Sequence, residues 1–95
     1  MTTVVAIPWY LPENYARVVE VMADGGSFPR THGSWRQKAA RMERELKRQG
    51  TTPVRVELDP DAFLQGCARH GAAPDSAARK GFVDEAVAGG VPGTA

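Results

Sequence analysis

The stretch PVRVELDPDAFLQGCARHG, residues 53–71, decides the fold that we predict for this chain. Its first part alternates apolar Val54, Val56 and Leu58 with charged Arg55 and Glu57. Since successive side chains of a strand point to opposite faces, this alternation is typical of a half-buried strand.

A capped helix follows this strand directly. Asp59 is a good N-cap residue, and Pro60 suits the first helical position, where no backbone N–H is needed. Gly71 ends the helix, because glycine readily adopts the left-handed conformation of a helix C-terminus. The inner face of the helix is apolar: Phe63, Leu64, Cys67 and Ala68. Residues 53–71 therefore predict a strand that leads straight into a helix.

A second strand is predicted near the N-terminus. Residues 3–7, TVVAI, are apolar and mostly β-branched, as is typical of strands. Pro8 cannot donate a ladder hydrogen bond, so this strand either ends at Pro8 or lies at a sheet edge. Trp9 and Tyr10 then fall in a turn.

Two helices are predicted between the strands. The first starts at Pro12 and stops at Asp24-Gly25-Gly26. The second starts at Ser34, which forms a capping box with Gln37, and closes at Gly50.

A last helix, capped by Asp75 or Ser76, precedes a tail that is too rich in glycine to continue it. We expect one small domain over residues 1–88 and a flexible tail over residues 89–95. The predicted fold is a mostly helical α+β domain of order strand, helix, helix, strand, helix, helix, with a minimal two-stranded sheet.

The size of the chain suggests self-association. Its 95 residues make one domain, which buries only roughly 60–65% of the surface exposed by the unfolded chain. Two short strands are also marginally stable alone. Either the strands pair with each other, or a second copy completes the sheet, and we expect a homodimer.

Charge and cysteine content narrow the possible partners and location. A net charge of +1 gives no global attraction to nucleic acid or membranes. A single cysteine, Cys67, excludes an internal disulfide and fits a reducing compartment. No secretory signal or stretch of ~20 apolar residues is present in the sequence. We expect a cytoplasmic protein without membrane contacts.

Aromatic and basic residues are the candidates for an interaction surface. Trp9, Tyr10 and Trp35, together with Tyr15, either line a ligand groove or a partner interface, or form a small aromatic core between the first two helices.

Basic residues follow one face of the second helix. Arg41, Arg44 and Arg48 recur there at three- and four-residue spacing. Such a row either follows a phosphate backbone or is a solvated face that nearby carboxylates partly neutralise. Glu43 is one of these carboxylates and is well spaced to pair with Lys47.

Signals for catalysis or metal binding are weak. Cys67 and His70 share a helix face, and His32 lies in a loop, but zinc sites come as spaced pairs of ligands. Cys67 fits an apolar core position, and His70 complements a helix C-terminus. No phosphate loop or catalytic constellation occurs in the sequence. We predict no enzymatic activity and no catalytic, cofactor or metal site.

The C-terminal half resembles the ribbon-helix-helix DNA-binding fold in its strand, its Asp59-Pro60 helix start and the helix that follows. This resemblance implies that the strands of two chains pair into a ribbon and that Arg55 and Glu57 face the major groove. A carboxylate at that position departs from the pattern, because phosphates repel it.

The layout of the whole chain, WYLPENYARV, a basic helix opened by Trp35 and then VRVELDPDAF, resembles small proteins of a bacterial family whose function is not known. That resemblance implies no activity. The leading hypothesis is a non-catalytic protein-interaction or accessory module that includes Arg55 in its surface. The alternative is a ribbon-helix-helix-like DNA-binding regulator.

Overall fold

Two strands and four α-helices follow one another in residues 3–88, the part of the chain that the structure, a computed structural model, describes. They are β1 (Thr3–Trp9), α1 (Tyr15–Val21), α2 (His32–Arg48), β2 (Thr51–Glu57), α3 (Pro60–His70) and α4 (Ser76–Ala88), with 3-10 turns at Pro12–Asn14 and Gly25–Ser27. The predicted order and the mostly helical α+β fold are confirmed. The predicted flexible tail lies outside the described residues.

The two strands pair with each other in parallel. Thr3 lies beside Thr51 at one end of the ladder, and Trp9 lies beside Glu57 at the other. Parallel neighbours need a long crossover, which α1 and α2 supply. The ribbon-helix-helix resemblance implied that β2 pairs with the same strand of a second chain. In this chain β2 pairs with β1 of the same chain, which leaves only the outer edge of β2 for a second chain.

Each strand carries a proline at its outer edge. The N–H of Leu58 donates to the C=O of Trp9 at 2.9 Å, so the backbone groups of Trp9 face β2. Since these groups alternate in direction along a strand, those of Ile7 also face β2, whereas Pro8 and Pro53 face away from the ladder. The prediction that β1 ends at Pro8 is wrong, and the edge-strand alternative is confirmed.

Helices cover both faces of the sheet. Helix α2 packs on the face that carries Trp9 and Arg55, through Trp35 and Glu43. The other face meets α1, α3 and α4 across the main core. That core comprises Tyr10, Tyr15, Val18, Met22, Leu58, Phe63 and Cys67, with Ala78 and Phe82 of α4 packed against it.

Side-chain caps set the helix starts, and one differs from the prediction. Asp59 Oδ2 accepts the N–H of Ala62 at 2.9 Å, as a predicted N-cap should. Thr31 Oγ1 accepts the N–H of Ser34 at 3.1 Å, so α2 starts two residues early. The predicted capping box of Ser34 and Gln37 is therefore wrong.

Glycines end one helix and tighten one turn. Gly71 stops α3 in the left-handed conformation at φ 62°, as predicted. Helix α1 ends before the predicted stop, because the chain enters the 3-10 turn at Gly25–Ser27. A Cβ on Gly25 would lie 2.1 Å from the carbonyl oxygen of Val19, so only glycine fits there.

Candidate interaction surface

The aromatic residues predicted to form a surface pack on one another. The Trp35 ring lies 4.9 Å from both the Trp9 and Tyr10 rings, centroid to centroid. Trp9 and Trp35 are half-buried, but Tyr10 is only 3% exposed, and burial raises its pKa to about 12. Tyr10 lies in the core, in line with the aromatic-core alternative, because the chain leaves β1 at Tyr10 and turns inward.

An arginine of β2 is held between α2 and β1. The Arg55 guanidinium lies 3.9 Å from the centre of the Trp9 ring and donates two hydrogen bonds to Glu43, at 2.8 and 2.9 Å. We call Arg55, Glu43 and Trp9 the β2 clamp. Glu43 is buried, and its hydrogen bonds from Arg55 hold its pKa below the ordinary value. The expectation that Glu43 faces solvent and pairs with Lys47 is wrong.

The predicted basic row lies on α2 as expected from its spacing. Arg41, Arg44 and Arg48 are all exposed. Arg48 Nη2 donates to Glu45 Oε1 at 2.6 Å, so part of the row is neutralised by its own helix.

The three candidate metal ligands lie in different surroundings. His32 Nε2 is 2.8 Å from the carbonyl oxygen of Tyr10 within the aromatic cluster, whereas His70 is exposed at the end of α3. Cys67 is buried, and that burial raises the pKa of its thiol, which disfavours the reactive thiolate. Within residues 3–88 no three His, Cys, Asp or Glu side chains form a group that could hold a metal ion.

The outer edge of β1 forms the floor of a groove that the sequence did not indicate. Val5, Ala6, Ile7 and Pro8 all line one cavity of about 440 Å³. Because successive side chains point to opposite faces, a cavity that touches four in a row runs along the strand edge. No residue of β2 lines it, so this edge is the one that faces away from β2. We call this cavity the edge groove.

Helices form the two walls of the edge groove, and a loop closes one end. The walls are Trp35 and Met42 of α2 and Ser76, Arg79, Lys80 and Val83 of α4, with Tyr10, Asp24, Ser27, Phe28 and Pro29 at the end. Arg79 donates to both oxygens of Asp24, at 2.7 and 2.8 Å, which ties α4 to the loop. These bonds hold the pKa of Asp24 below its usual value.

Apolar side chains are exposed at this edge. Val4, at the start of β1, is 49% exposed, and Met42 in the groove wall is 45% exposed. They are the exposed large hydrophobic residues of the described range. Met42 lines the edge groove directly, whereas Val4 belongs to the opposite face of the sheet.

Backbone groups at this edge point outward. Since Ile7 and Trp9 bond towards β2, the alternation turns Val4, Ala6 and Pro8 away from it. Val4 and Ala6 each present an N–H and a C=O, and Pro8 presents a C=O alone. Within residues 3–88 no third strand pairs with them. Two donors and three acceptors therefore lie along the groove floor.

One sequence signal points to this edge. The strand TVVAIPW, residues 3–9, contains no charged residue, although edge strands commonly carry charges that prevent further pairing. Pro8 alone indicates an edge. The combination of an edge position and an uncharged strand indicates an edge that is covered.

A larger groove of about 640 Å³ separates α3 from α4. Phe63, Cys67 and Phe82 form its floor, and Arg69 and Glu85 lie at its rim. Its walls are helices whose backbone groups already bond within each helix, so it lacks the hydrogen-bonding strip of the edge groove.

Comparison of the chain with models of known protein families, with curated proteins and with solved structures found no match. None of the helices in residues 3–88 is long and apolar enough to cross a membrane.

Proposed function

We propose that this chain is a non-catalytic protein-interaction module and that its binding surface is the edge groove. The observation that carries the proposal is the outward backbone strip of Val4, Ala6 and Pro8 beside the exposed side chain of Met42. An extended segment that adds to such an edge gains main-chain hydrogen bonds, and its side chains enter pockets beside the strand.

The chemistry of the groove favours protein over nucleic acid. Its floor is apolar, and both basic side chains in its walls are engaged within the chain. Arg79 binds Asp24, and Lys80 Nζ donates to Asp84 at 2.7 Å. Phosphates would have to displace these carboxylates, whereas a peptide backbone finds donors and acceptors already directed at it.

Photo-crosslinking in the cells that produce the protein tests this proposal. A benzoyl-phenylalanine in place of Met42 lies in the groove wall and should give a protein adduct. The same group in place of Arg44, which is exposed on the opposite side of α2, is the matched control.

The adduct formed through position 42 should also require the outward backbone N–H groups of β1. Ala6→Pro removes an outward N–H, so it should abolish the adduct formed through position 42. Absence of an adduct at position 42, an equal adduct at position 44, or an adduct that persists with Ala6→Pro would overturn the proposal.

A further inference from the structure

We infer that the occupant of the edge groove is a second copy of this chain, whose β1 pairs antiparallel with the first about a two-fold axis at Ala6. This inference rests on the proposed function, because it names the partner of the same surface. The result would be a continuous four-stranded sheet in the order β2, β1, β1, β2.

The outward backbone groups of β1 are self-complementary in this register. With the axis at Ala6, the two Ala6 residues face each other and exchange both N–H···O=C bonds. Val4 of each copy then lies opposite Pro8 of the other, so the Val4 N–H donates to the Pro8 C=O. Both outward donors of each chain find an acceptor, which gives four hydrogen bonds across the axis.

Pro8 costs this register only one hydrogen bond at each end of the paired segment. In this register the N–H that Pro8 lacks would have met the C=O of Val4, near the end of the paired segment. A carbonyl there can bond to water, since Val4 is exposed. Within the described strand, Thr3–Trp9, centring the axis on Val4 or Pro8 would shorten the paired segment and place fewer donors opposite acceptors.

The side chains brought together are compatible on both faces. Ala6 meets Ala6 and Val4 meets Pro8 on one face, and Val5 meets Ile7 on the other, so no charge lies opposite a like charge. A two-fold axis perpendicular to the sheet keeps each α2 on the same face. The exposed Met42 of each copy is thereby brought towards the joined edge.

The outer edge of β2 is less suited to this pairing. Arg55 and Glu57 are exposed on it, and two antiparallel copies would have to accommodate these charges next to the β2 clamp. A net charge of +1 per chain opposes association of two copies only weakly. The uncharged β1 edge is therefore where a second copy adds.

Light scattering over a micromolar-to-millimolar concentration series measures the association. The wild-type mass should rise towards that of two chains, and Ala6→Pro should keep the mass of one chain. A wild-type chain that stays monomeric at millimolar concentration, or a dimer that survives Ala6→Pro, would overturn the inference.

Amide exchange of the wild-type chain gives a readout that needs no substitution. The N–H groups of Val4 and Ala6 should become protected as the concentration rises, because they donate across the axis only in the dimer. Exchange at a rate that does not depend on concentration contradicts the inference, even if Ala6→Pro fails to fold.

Cysteine pairing tests the register. In a Cys67→Ala background, Ala6→Cys should form a disulfide-linked dimer under mild oxidation, because facing residues of a hydrogen-bonded pair lie about 5.5 Å apart. Thr52→Cys lies on the same face of the sheet but on the outer strand β2, where it is exposed, and it should not cross-link. Equal cross-linking of the two variants would refute this register.

Failure of the dimer can be told apart from failure of the proposed function. A monomeric chain whose position 42 cross-links to a different protein loses the second copy as occupant but keeps its role as an interaction module. A monomeric chain without any adduct at position 42 loses both.

Discussion

The two outer edges of the sheet are built in opposite ways. On β2, Arg55 is stacked on Trp9 and bonded to Glu43, and Glu57 adds a second charge. On β1, the strand has no charge, and its outward backbone lies in a groove between two helices. Edge strands invite pairing unless charges, prolines or coverage prevent it. Both outer edges carry a proline, Pro53 on β2 and Pro8 on β1, but only the β2 edge carries charges as well.

The largest expected effect breaks the ladder itself. Val5→Pro removes an N–H that faces β2 and leaves a carbonyl of the ladder without its donor, so we expect it to lower the free energy of unfolding by about 3 kcal/mol. Ala6→Pro, one residue along, removes only an outward N–H and should cost about 1 kcal/mol or less for the dilute monomer. Urea unfolding at micromolar concentration measures both. Equal losses would mean that the outward direction of Ala6 is assigned incorrectly.

The next largest effect should be a loss of folding stability at alkaline pH, through Tyr10 beside β1. Tyr10 lines the edge groove, and burial raises its pKa from 10.0 to about 12, so the folded state holds the phenol proton more tightly than the unfolded state. The resulting stability is complete below about pH 10 and is lost as the pH rises towards about 12, by up to roughly 3 kcal/mol. Tyr10→Phe should remove this loss in urea titrations across that range. A Phe variant with the same alkaline decline as the wild type would contradict the assignment.

Loss of the β2 clamp should have the next largest effect on the free energy of unfolding. Glu43→Gln replaces one of two acceptor oxygens with an NH2 group, so one hydrogen bond from Arg55 is lost and the other loses its charge, and we expect a loss of about 2 kcal/mol. Glu45→Gln, on the same helix, loses only an exposed pair with Arg48 and should change the free energy of unfolding by less than about 0.5 kcal/mol. Similar losses in the two variants would show that the clamp contributes no more than a surface pair.

Acid should remove the stability that the β2 clamp contributes, whereas alkali acts through Tyr10 beside β1. Arg55 lowers the folded-state pKa of Glu43 below its ordinary 4.5. The stabilisation is thus present above about pH 4.5 and is lost as the pH falls through the folded-state value. Glu43→Gln should flatten this acid limb in unfolding experiments. An acid limb that is unchanged would assign the loss to other carboxylates.

Lysine substitutions on the two strands should have the smallest effect on the stability of the monomer, but different effects on self-association. Val4 and Thr52 are register partners and are both exposed. Val4→Lys and Thr52→Lys should each change the free energy of unfolding by less than about 0.5 kcal/mol in dilute solution. Only Val4→Lys should reduce self-association in light scattering, because it alone places a charge on the outer strand edge of β1. Equal association of the two variants would contradict the difference between the edges.

Local signals in the sequence were enough to predict the elements. Asp59 and Gly71 mark the ends of α3 because their effects depend on residues within four positions. Thr31 and Ser34 are both good cap residues, so the start of α2 could not be decided between them from sequence. Tertiary packing decides between such equivalent local choices.

The non-local features of the site could not be predicted in the same way. Glu43 matches a solvated helix position beside Lys47, and only the placement of Arg55 beneath α2 reveals its partner. The sequence predicts a turn at Tyr10, but the ring of Tyr10 is buried in the core. The edge groove requires the strand order, which depends on pairing between distant residues.

The parallel register also sets an order of events during synthesis. Thr3 pairs with Thr51, 48 residues later in the chain. At a translation rate of about 5–20 residues per second, β1 leaves the ribosome roughly 2–10 s before its partner strand exists. For that time the uncharged strand TVVAIPW has two open edges rather than one. The nascent chain is thus most prone to aggregate before β2 emerges, and early chaperone contact with residues 3–9 would be of most benefit then.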